Sequence, residues 1–361
     1  MVYILMKPVS SKCNMHCDYC FYKDESSKRE IFDYGFMTNE TLEQIVKKAI
    51  SAAKRECVFA YQGGEPTLAG LSFFEKSMEY QREYNRSGIK IQNVIQTNGY
   101  DLDEKWCQFF KENHFLVGIS LDGIKSTHDK FRKSTQGEDT YFRILQGIEL
   151  LKEYEVDFNI LTVVNKETAG KIDRIYENFK KRGFLYQQYV ACMEPLGETE
   201  QKNSYSIKAD EYGKFLCRLF ELWKIDIKNG REVYIRQFEN WLSILKGGIP
   251  EACEHRGICG MQTIIEADGS VYPCDFFVLD EYKIGNILEN SLEEIEQNRR
   301  NSSFIETSYN HSEACLNCEY FRLCRGNCNR YRIKGKHIFC QGFQYFFKEK
   351  YDELLDMAKG R

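Results

Sequence analysis

Over the first 195 residues, short apolar runs alternate with amphipathic stretches, and this alternation restricts the chain to few folds. The runs at 3–7, 57–61, 91–96, 115–121, 157–164 and 186–191 have strand length. Between them, 39–54, 71–85, 103–113, 139–154 and 167–182 carry apolar residues at helical spacing. Thr38 in T-N-E-T and Asp101 in D-L-D-E offer the side-chain oxygens that start helices. Strand and helix in strict alternation imply parallel βαβ units, so the chain is expected to be α/β. The run at 157–164 is rich in β-branched residues, which suits a buried sheet.

After residue 195 the alternation stops. Residues 207–228 and 234–246 read as helices, and Gly247-Gly248-Ile249-Pro250 reads as a linker. Beyond it lies a Cys-rich segment with little regular structure. It holds one expected hairpin at 262–273, turning at Asp268-Gly269, and a last helix at about 343–358. The expected division is an α/β part at 1–205, a helical connector at 206–248 and a Cys-rich part at 249–361. A chain of 361 residues with 42% apolar and 29% charged side chains can build such cores and is not a disordered chain. A net charge of −4 gives no electrostatic case for nucleic acid. No apolar run reaches bilayer-spanning length. Met1–Met6 is too short for a signal peptide and is followed at once by Lys7 and Pro8, so it reads as a first strand. A cytoplasmic protein with reduced thiols is expected.

Against that expectation, 15 cysteines need a reason. An odd count in a long chain fits poorly with a disulfide framework, whereas clustered thiols in a reducing compartment suit metal. Cys57, Cys107, Cys192 and Cys217 are isolated and read as core residues. Cys13-x3-Cys17-x2-Cys20 follows the first strand directly. Three soft thiolates on one loop suit a [4Fe–4S] cluster with one iron left open, the lesser alternatives being zinc with a distant fourth ligand or chance clustering. The second strand, C-V-F-A-Y, runs into Gln62-Gly63-Gly64-Glu65-Pro66, where paired glycines allow close backbone approach or form a plain turn. Eight further cysteines, at 253, 259, 274, 315, 318, 324, 328 and 340, suffice for two sites of four thiolates each. Their spacing does not separate zinc from iron.

C-x3-C-x2-C with an aromatic before the third Cys, followed by a G-G-E-P strand end, resembles the radical S-adenosylmethionine superfamily. That resemblance implies a partial (β/α)6 TIM-like barrel with S-adenosyl-L-methionine (AdoMet) on the open iron, cleaved reductively to a 5′-deoxyadenosyl radical. The strand ends Gln96-Thr97-Asn98-Gly99 and Ser120-Leu121-Asp122-Gly123 fit it. It implies AdoMet contacts at Tyr19, Gly64, Ser120, Arg132 and Met193, with Ser120 toward ribose hydroxyls and Arg132 toward the carboxylate. The C-terminal cysteines are similar in order to the SPASM extension of such enzymes. By that likeness Cys253, Cys259, Cys274 and Cys328 hold one auxiliary [4Fe–4S] cluster, and Cys315, Cys318, Cys324 and Cys340 hold the other, making three clusters in all. Fully ligated auxiliary clusters imply electron transfer.

Longer phrases narrow the likeness. F-A-Y-Q-G-G-E-P-T-L-A-G-L, F-L-V-G-I-S-L-D-G and D-G-S-V-Y-P-C-D-F-F-V-L-D resemble the anaerobic sulfatase-maturating enzymes. These oxidise Cys or Ser in a sulfatase C/S-x-P-x-R segment to Cα-formylglycine without oxygen. The resemblance puts Asp275, next to Cys274, in the general-base position, and sets Tyr22 near the peptide. It implies an unfolded or nascent sulfatase polypeptide as substrate and a low-potential donor such as ferredoxin or flavodoxin. The alternatives are a radical peptide maturase forming thioether or other crosslinks, a zinc-dependent binding module, and a ferredoxin-like carrier. A first strand beginning at residue 3 leaves no leader-binding domain ahead of it, and a carrier has no need of a 195-residue α/β part.

Overall fold

The computed structural model describes residues 1–198, 200–260 and 262–360. In chain order its strands are β1 (Val2–Met6), β2 (Met15–Cys17), β3 (Glu56–Tyr61), β4 (Lys90–Thr97), β5 (Phe115–Ser120), β6 (Arg132–Ser134), β7 (Phe158–Val164), β8 (Tyr186–Ala191), β9 (Tyr234–Ile235), β10 (Thr263–Ile265), β11 (Ser270–Tyr272), β12 (Gly285–Asn286), β13 (Arg332–Ile333) and β14 (Lys336–His337). The chain divides into two compact units. The first gathers Met1–Ser120, Arg132–Phe158 and Gly260–Phe304; the second gathers Leu121–Phe131, Asn159–Cys259 and the residues from Ile305 on.

In the first unit the sheet order is β12-β11-β10-β1-β3-β4-β5. β1, β3, β4 and β5 are parallel, as the alternation predicts. The predicted hairpin is β10 and β11, with Gly269 at φ +86° and Asp268 accepting from Ser270 N and Oγ. One pairing left no local sign. β10 lies parallel to β1, with Ile4 opposite Thr263 and Met6 opposite Ile265, and Lys7 N extends the ladder to Ile265 O at 2.8 Å. A three-residue strand has too little periodicity to announce a partner some 260 positions away. The core between β3, β5 and the helices Leu71–Tyr84 and Glu104–Glu112 is aromatic: Tyr61, Phe74, Phe109 and Phe115 meet ring to ring.

Thr38 caps Asn39–Ala52, accepting from Thr41 N at 3.1 Å. The next cap corrects the sequence reading. Asp103, not Asp101, caps Glu104–Glu112, accepting from Trp106 N at 3.0 Å. Asp101 accepts instead from Asn14 Nδ2 at 2.6 Å. D-L-D-E offers two acidic starts two residues apart, and only packing of the helix chooses between them. The Cys-rich stretch is also more regular than expected, since Leu292–Asn301 is a helix closed by a capping box at Ser291.

In the second unit β7, β8 and β9 are parallel. The helix expected at 167–182 is two, Lys166–Gly170 and Ile172–Lys181, broken at Lys171 after Gly170. The stretch expected as helix at 234–246 opens with β9 and is helical only over Arg236–Leu245. The last helix starts earlier than expected, at Cys340, and runs to Gly360. It crosses Ala209–Lys228 backbone to backbone: a Cβ on Gly213 would lie 2.8 Å from Gly342 O, and one on Gly342 would lie 2.3 Å from Ala209 O. Cys57, Cys107, Cys192 and Cys217 are buried as predicted. No helix among the described residues is long and apolar enough to cross a membrane.

Arg299 anchors the segment that leads into β10. Its buried guanidinium donates to Gly260 O at 3.3 Å, to Gln262 O, and to Thr263 Oγ1 at 2.8 Å. Arg299→Met strips three acceptors of their donor. Chemical denaturation is expected to show a loss of at least about 1–3 kcal/mol, the range for one unsatisfied buried polar group.

Candidate active site and cysteine centres

The first cysteine loop is laced to the G-G-E-P strand end. Gln62 N donates to Met6 O at 2.9 Å, Gly64 N to Ser10 O at 2.9 Å, and Glu65 N to Lys12 O at 2.8 Å. A Cβ on Gly64 would sit 1.9 Å from Lys12 O, so the backbone just before Cys13 occupies the space that any other residue would need. Close approach is therefore a reason for glycine here that the protein's own chain supplies. Glu65 is buried and accepts from Thr67 N, Thr67 Oγ1, Thr97 Oγ1 and Asn98 N at 3.1, 2.7, 2.7 and 2.8 Å. Burial pushes its carboxyl up, against these donors. Through Glu65 the Q-T-N-G end of β4 is bound to the same loop.

The thiols receive N–H donors. Cys13 Sγ accepts from Met15 N at 3.4 Å and Asn98 Nδ2 at 3.7 Å. Cys17 Sγ accepts from Arg132 Nη1 at 3.7 Å, because β2 pairs with β6 and sets Cys17 opposite Arg132. The Arg132 guanidinium also lies 5.4 Å from the centre of the Tyr19 ring. Ser120 Oγ accepts from Gln96 Nε2 at 3.2 Å. Burial first, then the Glu65 charge, pushes the Cys13 thiol up to about 12, and Cys17 and Cys20 act in the same direction. Tyr19, Gly64, Ser120 and Arg132 all belong to the first unit; Met193 is a buried residue of the second, just after β8.

Asp275 lies in the first unit, after β11. It is 7% exposed and ion-paired through Oδ1 to Lys7 Nζ at 2.5 Å, with Lys7 itself fully buried. Its other oxygen accepts from Gln62 Nε2 at 3.0 Å. Lys7 Nζ lies 3.8 Å from the centre of the Tyr22 ring, a cation–π contact in a dry setting. The Tyr22 hydroxyl donates to Glu266 Oε1, which Arg29 Nη1 also reaches at 2.6 Å. Burial, then the Glu266 charge, pushes the Tyr22 phenol far up. Asp275 thus ends a buried chain of alternating charge: Arg29, Glu266, Lys7, Asp275. The partners Lys7, Gln62, Arg29 and Glu266 were not singled out from the sequence. The one available sign was position, since Lys7 and Gln62 stand at the ends of β1 and β3, where parallel sheets present side chains to ligands.

The C-terminal thiols fall into groups. In the second unit Cys253, Cys259 and Cys328 act electrostatically on one another, and Cys315, Cys318 and Cys340 act on Cys324. Burial pushes Cys253 up to about 11 and Cys324 up to about 12. Gln344 Nε2 donates to Cys318 Sγ at 3.6 Å. Cys274 belongs to the first unit, where its thiol acts on Arg299. Among the described residues no three His, Cys, Asp or Glu side chains are drawn tightly enough around one point to hold a single ion. A four-iron cluster interposes a cube of iron and sulfide, so its thiolates sit further apart. Soft thiols grouped this way, with N–H donors on the sulfurs, have the donor chemistry that suits iron–sulfur clusters. Burial favours the protonated form of Cys13, Cys253, Cys259, Cys324, Cys328 and Cys340, so ligation by these thiols must release protons.

Lys7→Met strands the Asp275 carboxylate in the core. The expected cost is about 3–5 kcal/mol, as for a buried pair that loses one partner, and chemical denaturation measures it. Gly64→Ala is expected to lower iron content after anaerobic reconstitution, because a methyl group displaces the backbone before Cys13.

A radical SAM superfamily model matches residues 8–179, and a SPASM model, an iron-sulfur cluster-binding domain, matches 257–319. The cysteine-type anaerobic sulfatase-maturating enzyme of Clostridium novyi is 44% identical, across 99% of this chain and 97% of that one. The serine-type anaerobic sulfatase-maturating enzyme of Bacteroides thetaiotaomicron is 32% identical, across 96% and 89%. The solved structure of native anSMEcpe with bound AdoMet and Kp18Cys peptide matches with a TM-score of 0.95 at 43% identity, across 100% of this chain and 99% of that one. The α/β sheet of parallel strands and the Cys-rich C-terminal part are the radical SAM and SPASM domains of such enzymes. With likeness running the length of both chains, this one belongs to the anaerobic sulfatase-maturating enzymes of the radical SAM superfamily.

Proposed function

We propose that the chain oxidises a cysteine of a sulfatase C-x-P-x-R segment to Cα-formylglycine without oxygen. The carrying observation is the difference in likeness: 44% identity to a cysteine-type relative against 32% to a serine-type one. The cofactors are AdoMet and three [4Fe–4S] clusters. Cys13, Cys17 and Cys20 would hold the cluster that binds AdoMet, with Tyr19, Gly64, Ser120, Arg132 and Met193 around the latter. Cys253, Cys259, Cys274 and Cys328, and Cys315, Cys318, Cys324 and Cys340, would hold the auxiliary clusters. Bound AdoMet and a low-potential electron supply the carbon radical that removes a hydrogen atom from the substrate Cβ.

This chain's own residues then have two tasks. The thiol proton must leave, and Asp275 takes it. Its Oδ1 is held by Lys7, while Oδ2, which accepts one bond from Gln62, has lone-pair capacity for another. One electron must also leave for the C–S bond to become a thioaldehyde, which water hydrolyses to the aldehyde with loss of sulfide. The eight C-terminal cysteines are the residues that would hold the one-electron acceptors. Asp275 is bonded in sequence to Cys274, so the proton and electron exits are neighbours. The substrate is an unfolded or nascent sulfatase polypeptide, and ferredoxin or flavodoxin suits the role of donor. Such a substrate and donor fit a cytoplasmic enzyme.

The direct test uses the anaerobically reconstituted protein with AdoMet, dithionite and a Cys-x-Pro-x-Arg peptide. Mass spectrometry is expected to show conversion of the thiol to an aldehyde, with 5′-deoxyadenosine released and the Ser peptide converted more slowly. Deoxyadenosine with both peptides unchanged overturns the reading. Asp275→Ala is expected to keep AdoMet cleavage while aldehyde yield falls about 10²–10⁴-fold, the usual worth of a general base. Replacing Cys13, Cys17 and Cys20 together by Ala is expected to abolish AdoMet cleavage while iron bound by the other cysteines remains.

A further inference from the structure

Arg332 opens the β13–β14 hairpin of the second unit. Its guanidinium is committed to backbone carbonyls: Nε donates to Gly326 O at 2.8 Å, Nη1 to Ser308 O at 2.7 Å, and Nη2 to Asn327 O at 2.5 Å and Arg325 O at 3.5 Å. The turn it grips, Arg325-Gly326-Asn327, is left-handed at all three residues, with φ of 50°, 70° and 50°. That turn is the whole link between Cys324 and Cys328, which stand in different ligand sets. Ser308, the remaining anchor, accepts through Oγ from Cys259 N at 3.1 Å. One cation is therefore tied to segments carrying ligands of both sets.

Its charge has no carboxylate counterpart. Among the described residues every hydrogen-bond partner of Arg332 is a carbonyl, and no ion pair involves it. Burial opposes the charge, whereas the thiols of Cys259, Cys328, Cys324 and Cys315 favour it. His311 and His337 beside it are pushed down by burial first and by Arg332 second, so neither adds a cation at neutral pH. A four-iron cluster with four thiolates is an anion and gains one more negative charge on reduction. A fixed positive charge in a partly buried setting stabilises the reduced form more than the oxidised one.

We propose that Arg332 is a counter-cation shared by the two auxiliary clusters, raising both reduction potentials so that they can take the electron the substrate releases. The proposal rests on the ligand sets given above. It is tested in the reconstituted Cys13→Ala/Cys17→Ala/Cys20→Ala variant, where only auxiliary clusters titrate, by iron and sulfide analysis and an EPR-monitored redox titration. Adding Arg332→Gln is expected to lower the reduced-to-oxidised ratio at a fixed potential at least tenfold, a shift of about 59 mV to more negative potential for one electron. Arg332→Lys, which keeps the charge but loses the fork, is expected to stay within about twofold of the parent ratio. An unshifted midpoint in Arg332→Gln at full iron content overturns the proposal. If Arg332→Gln does not retain iron, Arg332→Lys decides: a tenfold shift there, with the charge still present, also overturns it. Iron short of two clusters with Arg332 intact would instead sink the ligand assignment, leaving the two failures distinct.

Discussion

The parallel pairing of β10 with β1 is the constraint on which the first unit depends. It brings two acidic residues from the C-terminal third, Glu266 and Asp275, to two cations from the first thirty residues, Arg29 and Lys7. Neither cation is tolerable in a core without its acid, and neither acid without its cation. Hydrophobic contact seals the arrangement: Leu5, Ala60, Ile264, Tyr272 and Val278 bury around the Tyr22 ring. The backbone ladder brings the strands together, the side chains make the core dry, and dryness makes the charge pairing obligatory. Such pairing adds little net stability over an apolar core. What it adds is a carboxylate held at one place, with one oxygen committed and the other partly available.

A second constraint is the close approach of backbones. The cysteine loop lies on the G-G-E-P strand end with no room for a side chain at Gly64. Glu65 then ties that strand end to the end of β4 by accepting four hydrogen bonds in the interior. Three chain segments far apart in sequence thus become one rigid seat for three thiols.

Much of this was legible in the residues. Period and length marked the parallel strands to within a residue or two, because runs such as 57–61 and 186–191 are bounded by turns and flanked by helical patterns. Cysteine spacing marked the metal chemistry, since thiols three and four apart have few other uses in a reducing compartment. What was not legible is instructive. Asp101 and Asp103 are equally good caps by chemistry, and tertiary packing chose the second. Gly170 divides a helix that periodicity alone would run through. The β1–β10 ladder, and with it Lys7 and Gln62 as partners of Asp275, is a long-range pairing of three-residue segments, and nothing local in either encodes the other.

The crossing of Ala209–Lys228 with the last helix carries a mechanical consequence. Gly213 and Gly342 let the two backbones touch, and Cys340 sits two residues before that contact, on the first turn of its helix. The fulcrum and the sulfur are thus less than one helical turn apart. Beyond that contact the helix is held again, by Lys350 to Glu221 and by Glu353 to Lys224, so the thiol sits at a closely anchored start. Redox centres change charge in every cycle, and each change pulls on the ligands. As a proposed cluster ligand mounted beside that contact, Cys340 would yield little to such a pull, so the glycine pair would govern how stiffly its sulfur is held.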